Sequence, residues 1–156
     1  MASDSAFGVE RPEDSPGFLL WQTTVTWQRL IKRALEPYSI SHTHHVIMAI
    51  LLWFEEHQHE ATQVVIVNWS KLDKMTVSSA LKKLVELGFV NRTEHEIDSR
   101  AKRVTLTTKG KSLARKLVPV VEKIDEEFFG ALNTQDRKNI IRILGKLIKE
   151  SSNHEA

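Results

Sequence analysis

The sequence contains no cysteine. That excludes disulfides, thiolate metal sites and any thiol-based nucleophile or redox switch. Long hydrophobic runs are also missing. The longest, Val46 to Phe54, falls well short of the roughly 20 apolar residues of a membrane span, so it reads as a buried helix and no membrane partner is expected. The start of the chain has neither the basic residues nor the apolar stretch of a signal peptide, which makes the cytoplasm the expected compartment. There is no Gly-rich phosphate loop and no His-Glu-x-x-His motif, and no arrangement of Ser, His and Asp singles out a nucleophile. An enzyme therefore has no visible machinery here. Internal repeats and low-complexity segments are absent too.

What remains is one domain's worth of chain. The 156 residues are 41% hydrophobic and 27% charged, which is ordinary globular composition. A chain of this length buries roughly 70% of its unfolded surface. The net charge is only +2, but it is unevenly spread. Between Lys71 and Lys116 stand twelve Lys and Arg against five Asp and Glu, a local +7 that leaves −5 for the rest. A basic middle between acidic ends suits a polyanion-binding module. Charge alone fits plain solvated surface equally well.

The pattern of elements narrows this. Residues 1–16 form an acidic tail (Asp4, Glu10, Glu13, Asp14) that is expected to be poorly ordered. A first helix is predicted from about Gly17 to Glu36, with Pro37 stopping it, and a second behind the N-cap Ser41. Gln63 to Trp69 is open between strand and helix, since Val64-Val65-Ile66-Val67 has strand propensity and periodicity does not separate short buried elements. Asp73 caps a helix over Lys74–Leu87 whose buried stripe is Val77, Leu81 and Leu84, and Gly88 ends it. Two short strands follow, Phe89–Arg92 and Arg103–Thr107, around a polar loop. Thr107 or Thr108 opens a long helix to about Gly130, which Pro119 is expected to kink. Asn133 with Asp136 opens a last helix to about Lys149.

Helix, tight turn, helix and basic hairpin is the order of a winged helix-turn-helix, in a mainly α (α+β) fold. A short second helix can enter the major groove. Thr76, Ser78 and Ser79 are small enough for close approach, and Lys74, Lys82 and Lys83 can neutralise phosphates. Arg100, Lys102 and Arg103 sit on the hairpin loop, within reach of a narrow minor groove. The expected segments are a 1–16 tail, 17–60 supporting and dimerisation helices, a 61–107 winged lobe, 108–150 C-terminal dimerisation helices and a 151–156 tail.

The stretch Thr62 to Gly110 resembles the DNA-binding half of the MarR family of bacterial transcriptional regulators. The residues that carry the likeness are Leu72-Asp73-Lys74-Met75-Thr76-Val77-Ser78-Ser79, Leu84 to Arg92, Asp98-Ser99-Arg100-Ala101-Lys102-Arg103 and Leu106-Thr107-Thr108-Lys109-Gly110. The resemblance implies a cytoplasmic, nucleoid-associated homodimer on double-stranded DNA, reading a pseudo-palindromic operator as a ligand-responsive repressor. It makes Arg100 the minor-groove wing arginine, Asp98 its orienting partner, and Arg92 a basic residue at the wing base. No cofactor is required, and a small aromatic or anionic effector is implied, with Trp21, His45 and Trp53 as candidate contacts. The broad apolar faces of the terminal helices point to a dimer independently, with half-sites about one helical turn, roughly 10 bp, apart.

The chain departs from the family at Val64-Val65, where a charged pair is usual, at Ser70, where Leu is usual, and at Lys71, where Gly is usual. Because the flanking motifs align without a gap, Gln63 to about Lys71 is read as helix. A Val-rich face near Trp69 offers either extra packing or a partner surface. The cluster His42, His44 and His45 raises a zinc-responsive alternative, although i, i+3 and i+4 histidines arise often by chance. An adaptor that keeps the fold and binds protein instead of DNA is the other alternative.

Overall fold

The computed structural model describes residues 4–93 and 102–154. Among these described residues, six α-helices and a two-stranded antiparallel sheet follow one another as α1 (Pro16–Leu35), α2 (His42–Glu56), α3 (Gln63–Ser70), α4 (Lys74–Glu86), β1 (Val90–Thr93), β2 (Arg103–Leu106), α5 (Thr108–Phe129) and α6 (Thr134–His154). The chain divides into two compact units, residues 1–121 and 122–156.

The first unit is built around one core. Ile47, Met48, Leu51 and Phe54 of α2 meet Ile66 of α3, Val77, Leu81 and Leu84 of α4, Val90 and Val104 of the strands, and Ala114 of α5. The α4 stripe is the one the sequence spacing gives, because residues three and four apart share a helix face. β1 and β2 pair with Val90 opposite Leu106 and Arg92 opposite Val104. The buried residues alternate with exposed ones, as a one-sided sheet requires.

Residues 63–70 are helical, which resolves the strand-or-helix ambiguity. Thr62 caps α3, its Oγ1 accepting from the Val65 amide at 3.3 Å, and Ile66 is wholly buried. Lys71 then takes the left-handed conformation, φ 62°, and its amide donates to the Val67 carbonyl at 3.0 Å. This is a C′ position that glycine fills most easily. A β-carbon there costs about 1–2 kcal/mol, offset partly by the lower entropy of the unfolded chain. Lys71→Gly is therefore expected to raise stability by about 0.5–1 kcal/mol in urea denaturation. A loss of stability would show that contacts of the Lys71 side chain outweigh its backbone strain.

The junction of wing and α5 explains the spacing of Leu106-Thr107-Thr108-Lys109-Gly110. The Thr107 amide donates to Phe89 O at 3.0 Å, and its hydroxyl donates to Gly88 O at 2.6 Å while accepting from the Gly110 amide at 3.0 Å. α5 thus starts directly on the Phe89 backbone, and a β-carbon on Gly110 would overlap the Phe89 carbonyl. At the other side of this junction α4 ends in a Schellman motif. Gly88 has φ 80°, and the Phe89 amide donates back to Leu84 O at 3.0 Å.

Several expectations need correction. Within the expected 1–16 tail, Pro12–Asp14 form a 3-10 turn, and Ser15 caps α1, which begins at Pro16. The hairpin is joined by a third short segment. The Val104 amide donates to Ala61 O at 2.9 Å, the Gln63 amide donates to Lys102 O at 3.1 Å, and Thr62 bridges Arg103. α5 keeps Pro119 inside its length, so the expected kink does not end the helix. α6 runs to His154, past the expected end at Lys149 and through most of the expected 151–156 tail. Ser152 Oγ donates to Ile148 O at 3.0 Å within this last turn.

In the second unit, the Asn133 side chain accepts from the Asp136 amide at 2.8 Å and opens α6. Arg137 reaches back to α5, its Nε donating to Phe129 O at 3.0 Å and its Nη2 to Glu126 O at 3.4 Å. These are carbonyls that the end of a helix leaves without partners. α6 keeps a wide apolar face uncovered, with Ile141 72%, Leu147 55% and Ile148 53% exposed.

Candidate nucleic-acid interface

α4 presents a graded surface. Its buried stripe fixes which residues face outward. At 100° per residue, Met75, Ser79, Lys82 and Glu86 form the crest opposite the core. Lys74, Ser78 and Val85 lie on one flank, and Thr76 and Lys83 lie on the other. Lys74, Ser79, Lys82 and Lys83 are exposed, and Thr76 and Ser78 are half-buried. Met75 is 82% exposed. Sequence reading missed it, because a methionine at helical spacing is normally core. Its position one turn before Ser79 on the crest was the available signal. An apolar side chain there can meet a thymine methyl.

Thr76 is not a free hydroxyl. Asp73 caps α4 with both carboxylate oxygens, Oδ1 accepting from the Thr76 amide at 2.8 Å and Oδ2 from the Thr76 hydroxyl at 2.6 Å. These hydrogen bonds hold the Asp73 carboxyl below its ordinary pKa. The Thr76 proton is therefore committed, and the side chain can offer a partner only its methyl and its oxygen lone pairs.

The basic residues separate into two groups. Arg103 pairs with Glu60 at 2.8 Å, Lys111 with Glu55 at 3.4 Å, and Arg115 with Glu56 at 3.8 Å. Glu55 and Glu56 at the end of α2, and Glu60 in the segment that follows it, thus absorb the charge of Lys111, Arg115 and Arg103. Glu55 also accepts from the Leu106 amide at 3.2 Å. By contrast, among the described residues no hydrogen bond or ion pair engages the side chains of Lys74, Ser78, Ser79, Lys82 or Lys83. Of the basic residues described between Lys71 and Lys116, Lys74, Lys82 and Lys83 on α4 and Lys102 beside the wing are the uncommitted ones.

On the wing side, Lys82, Val85, Glu86, Arg92 and Lys102 line a groove of about 460 Å³ between α4 and the hairpin. Arg92 Nη1 donates to Gln63 Oε1 at 3.3 Å, which ties the wing base to the start of α3. The structure therefore brings Lys74, Ser78, Lys82, Arg92 and Lys102 onto the side of α4 that faces the wing. Asp98 and Arg100 lie outside the described residues.

Two of the three candidate effector contacts, His45 and Trp53, do not adjoin within the chain. His45 is buried at 4% exposure near the start of α2, and Trp53 is 41% exposed near its end. Eight residues of helix separate them by about 12 Å. Trp53 stacks on His57 at 3.9 Å between ring centroids and leans on Trp69 at 5.0 Å. Trp21 is 67% exposed on α1. Helical rise, which a list of aromatic residues does not display, is what separates His45 from Trp53. The Val64-Val65 departure is split by the same geometry. Val65 packs against the core, Val64 faces out, and Trp69 rests edge-on against Phe54 at 4.8 Å. Among the described residues, no group of three or more His, Asp or Glu side chains is gathered to hold a metal ion. No helix of the described residues is long and apolar enough to cross a membrane.

Comparison with known proteins agrees with this geometry. Residues 36–123 match the ArnR1-like winged-helix domain family. The chain is 33% identical over 138 residues to the HTH-type transcriptional regulator YdcH of Bacillus subtilis (strain 168), covering 88% of this chain and 92% of that one. The solved structure of Bordetella bronchiseptica BpsR, described as regulated in its DNA binding by 6-hydroxynicotinic acid, superimposes with a TM-score of 0.79 at 24% identity, over 90% of this chain and 97% of that chain. A MarR transcriptional regulator from Methanosarcina mazei Go1 superimposes with a TM-score of 0.73 at 26% identity, over 88% of this chain and 96% of that one. The chain belongs to the winged helix-turn-helix transcriptional regulators, within the MarR family.

Proposed function

We propose that the chain is a sequence-specific DNA-binding regulator that binds a pseudo-palindromic operator as a homodimer, acts as a repressor at the nucleoid, and responds to a small effector. The observation that carries this is the separation of charge. Arg103, Lys111 and Arg115 are paired with Glu60, Glu55 and Glu56, and Lys74, Lys82 and Lys83 of α4 are left open. Such a face is suited to releasing counterions from a phosphate backbone. In this reading Met75, Ser78 and Ser79 meet base edges, and Thr76 contributes its methyl. Lys74, Lys82, Lys83, Arg92 and Lys102 contact phosphates. Arg103, already shared with Glu60, contributes less. Arg100 enters the minor groove with Asp98 orienting it.

The homodimer is supported by the uncovered apolar faces of α1, where Leu20 is 54% and Trp21 67% exposed, and of α6. Faces this apolar mark protein contacts. For the effector, the end of α1 and the start of α2 enclose a cleft of about 440 Å³ lined by Lys32, Ser39, Ser41 and His42. Its size fits a small organic ligand, and its lining sets one cation, Lys32, and one carboxylate, Glu36, beside hydroxyls and an imidazole. The ligand reported for BpsR supports a small-molecule class of this kind.

The test is fluorescence anisotropy with duplex DNA from upstream of the protein's own gene, set against a scrambled duplex, across a salt series. Tight, sequence-dependent binding with a steep salt slope is expected. Equal, weak binding to both duplexes would refute the reading. Small aromatic carboxylates added to the preformed complex then test the effector, with release of the duplex as the expected result. Lys82→Ala is expected to weaken binding about evenly across sequences and to lower the salt slope by about 1. A loss confined to one base pair would instead make Lys82 a base reader.

A further inference from the structure

We propose that the side of α4 away from the wing holds a second backbone phosphate, in a cleft where His44 of α2 faces Lys83 of α4. The inference rests on the reading that α4 enters the major groove. The major groove is about 12 Å wide and bordered by a phosphate strand on each side. The wing-side groove, with Arg92 and Lys102, provides for one strand only. On the opposite side, a cleft of about 620 Å³ is lined by Thr43 and His44 from α2 and by Met75, Thr76, Ser79 and Lys83 from α4. It contains an imidazole, an ammonium and two uncommitted hydroxyls, on Thr43 and Ser79, with no acidic side chain among its lining residues. That donor-rich set matches phosphate oxygens. No sequence motif marks it, because His44 and Lys83 stand 39 residues apart and only the packing of α2 on α4 makes them neighbours.

The charges give the site a pH signature. Lys83 is the charged residue facing His44 in this cleft, and the walls contributed by Met75, Thr76, Ser79 and Ala80 are uncharged. Burial, and then the charge of Lys83, make His44 harder to protonate than a free histidine. A phosphate seated between them reverses the second effect. Binding therefore favours the protonated form of His44, and affinity rises as the pH falls.

The experiment uses the full chain and a duplex that the wild-type chain enriches from a random-sequence library. Methylphosphonate linkages, which lack the phosphate charge, are placed one at a time along both strands. One linkage per half-site, on the strand away from the wing, is expected to cost the wild type about 10-fold in affinity. His44→Gln/Lys83→Gln should lose less than about 2-fold at that linkage and keep the wild-type losses elsewhere. His44→Gln alone should flatten the tightening that the wild type shows between pH 7.5 and 5.5. Lys83→Gln, at an exposed position, keeps the test open should His44→Gln fold poorly. Equal losses at every linkage in wild type and double variant, with unchanged pH profiles, would overturn the phosphate site and leave the α4 reading standing. Failure of the wild type to enrich any duplex would overturn both.

Discussion

Ser79→Glu is expected to lower operator affinity by about 100-fold while leaving the fold intact. Ser79 is exposed on the crest of α4 and makes no hydrogen bond among the described residues. A carboxylate placed there would face the polyanion at the closest point of approach. Like-charge juxtaposition in an interface costs several kcal/mol, and about 2.7 kcal/mol corresponds to 100-fold. The same substitution creates a Glu-to-Lys pair with Lys83 at i, i+4, which stabilises helices by about 0.3–0.5 kcal/mol. The two effects have opposite signs, so folding and binding are cleanly separated. Anisotropy titration together with thermal melting reads both. Retained affinity with a normal melt would mean that α4 does not lie in the groove.

Leu84→Ala is expected to cost about 3 kcal/mol of stability, within the usual range for a buried leucine. Leu84 has no solvent exposure and belongs to the core shared by α2, α3, α4 and the hairpin. It is also the acceptor residue of the Schellman motif, through its carbonyl, so its backbone and its side chain fix the same end of α4. Removing the side chain leaves a cavity under the helix that carries the binding face. Midpoint temperature should fall by about 10 °C, and DNA affinity near that temperature should fall with it. A loss under about 1 kcal/mol in urea denaturation would show that the site collapses without consequence and that α4 is held from elsewhere.

Much of the fold is legible in the residues. The α4 stripe, its Asp73 cap and its Gly88 terminus are local signals, and each reports one nearby backbone requirement. The Asn133–Asp136 cap of α6 is of the same kind. Residues 63–70 were not legible from periodicity, because eight residues rich in Val do not distinguish a strand from a helix. The alignment of the flanking motifs decided them as helix, and Lys71 shows the cost, a left-handed non-glycine residue at the turn. Candidate effector residues were chosen by type, and type does not encode position along a helix axis. His45 and Trp53 therefore ended about 12 Å apart.

The sequence by itself determined that the chain carries a helix-turn-helix with a basic hairpin, because caps, glycines and hydrophobic spacing act within a few residues of one another. It also determined that the middle of the chain is positive. Tertiary structure alone decided which of those cations remain open. Glu55, Glu56 and Glu60 lie far in sequence from Lys111, Arg115 and Arg103, and only the packing of α2 and the segment after it beside α5 and β2 pairs them. The same packing sets His44 against Lys83 and exposes Met75. Long-range pairing of charge depends on where helices cross, and no local pattern of residues states that.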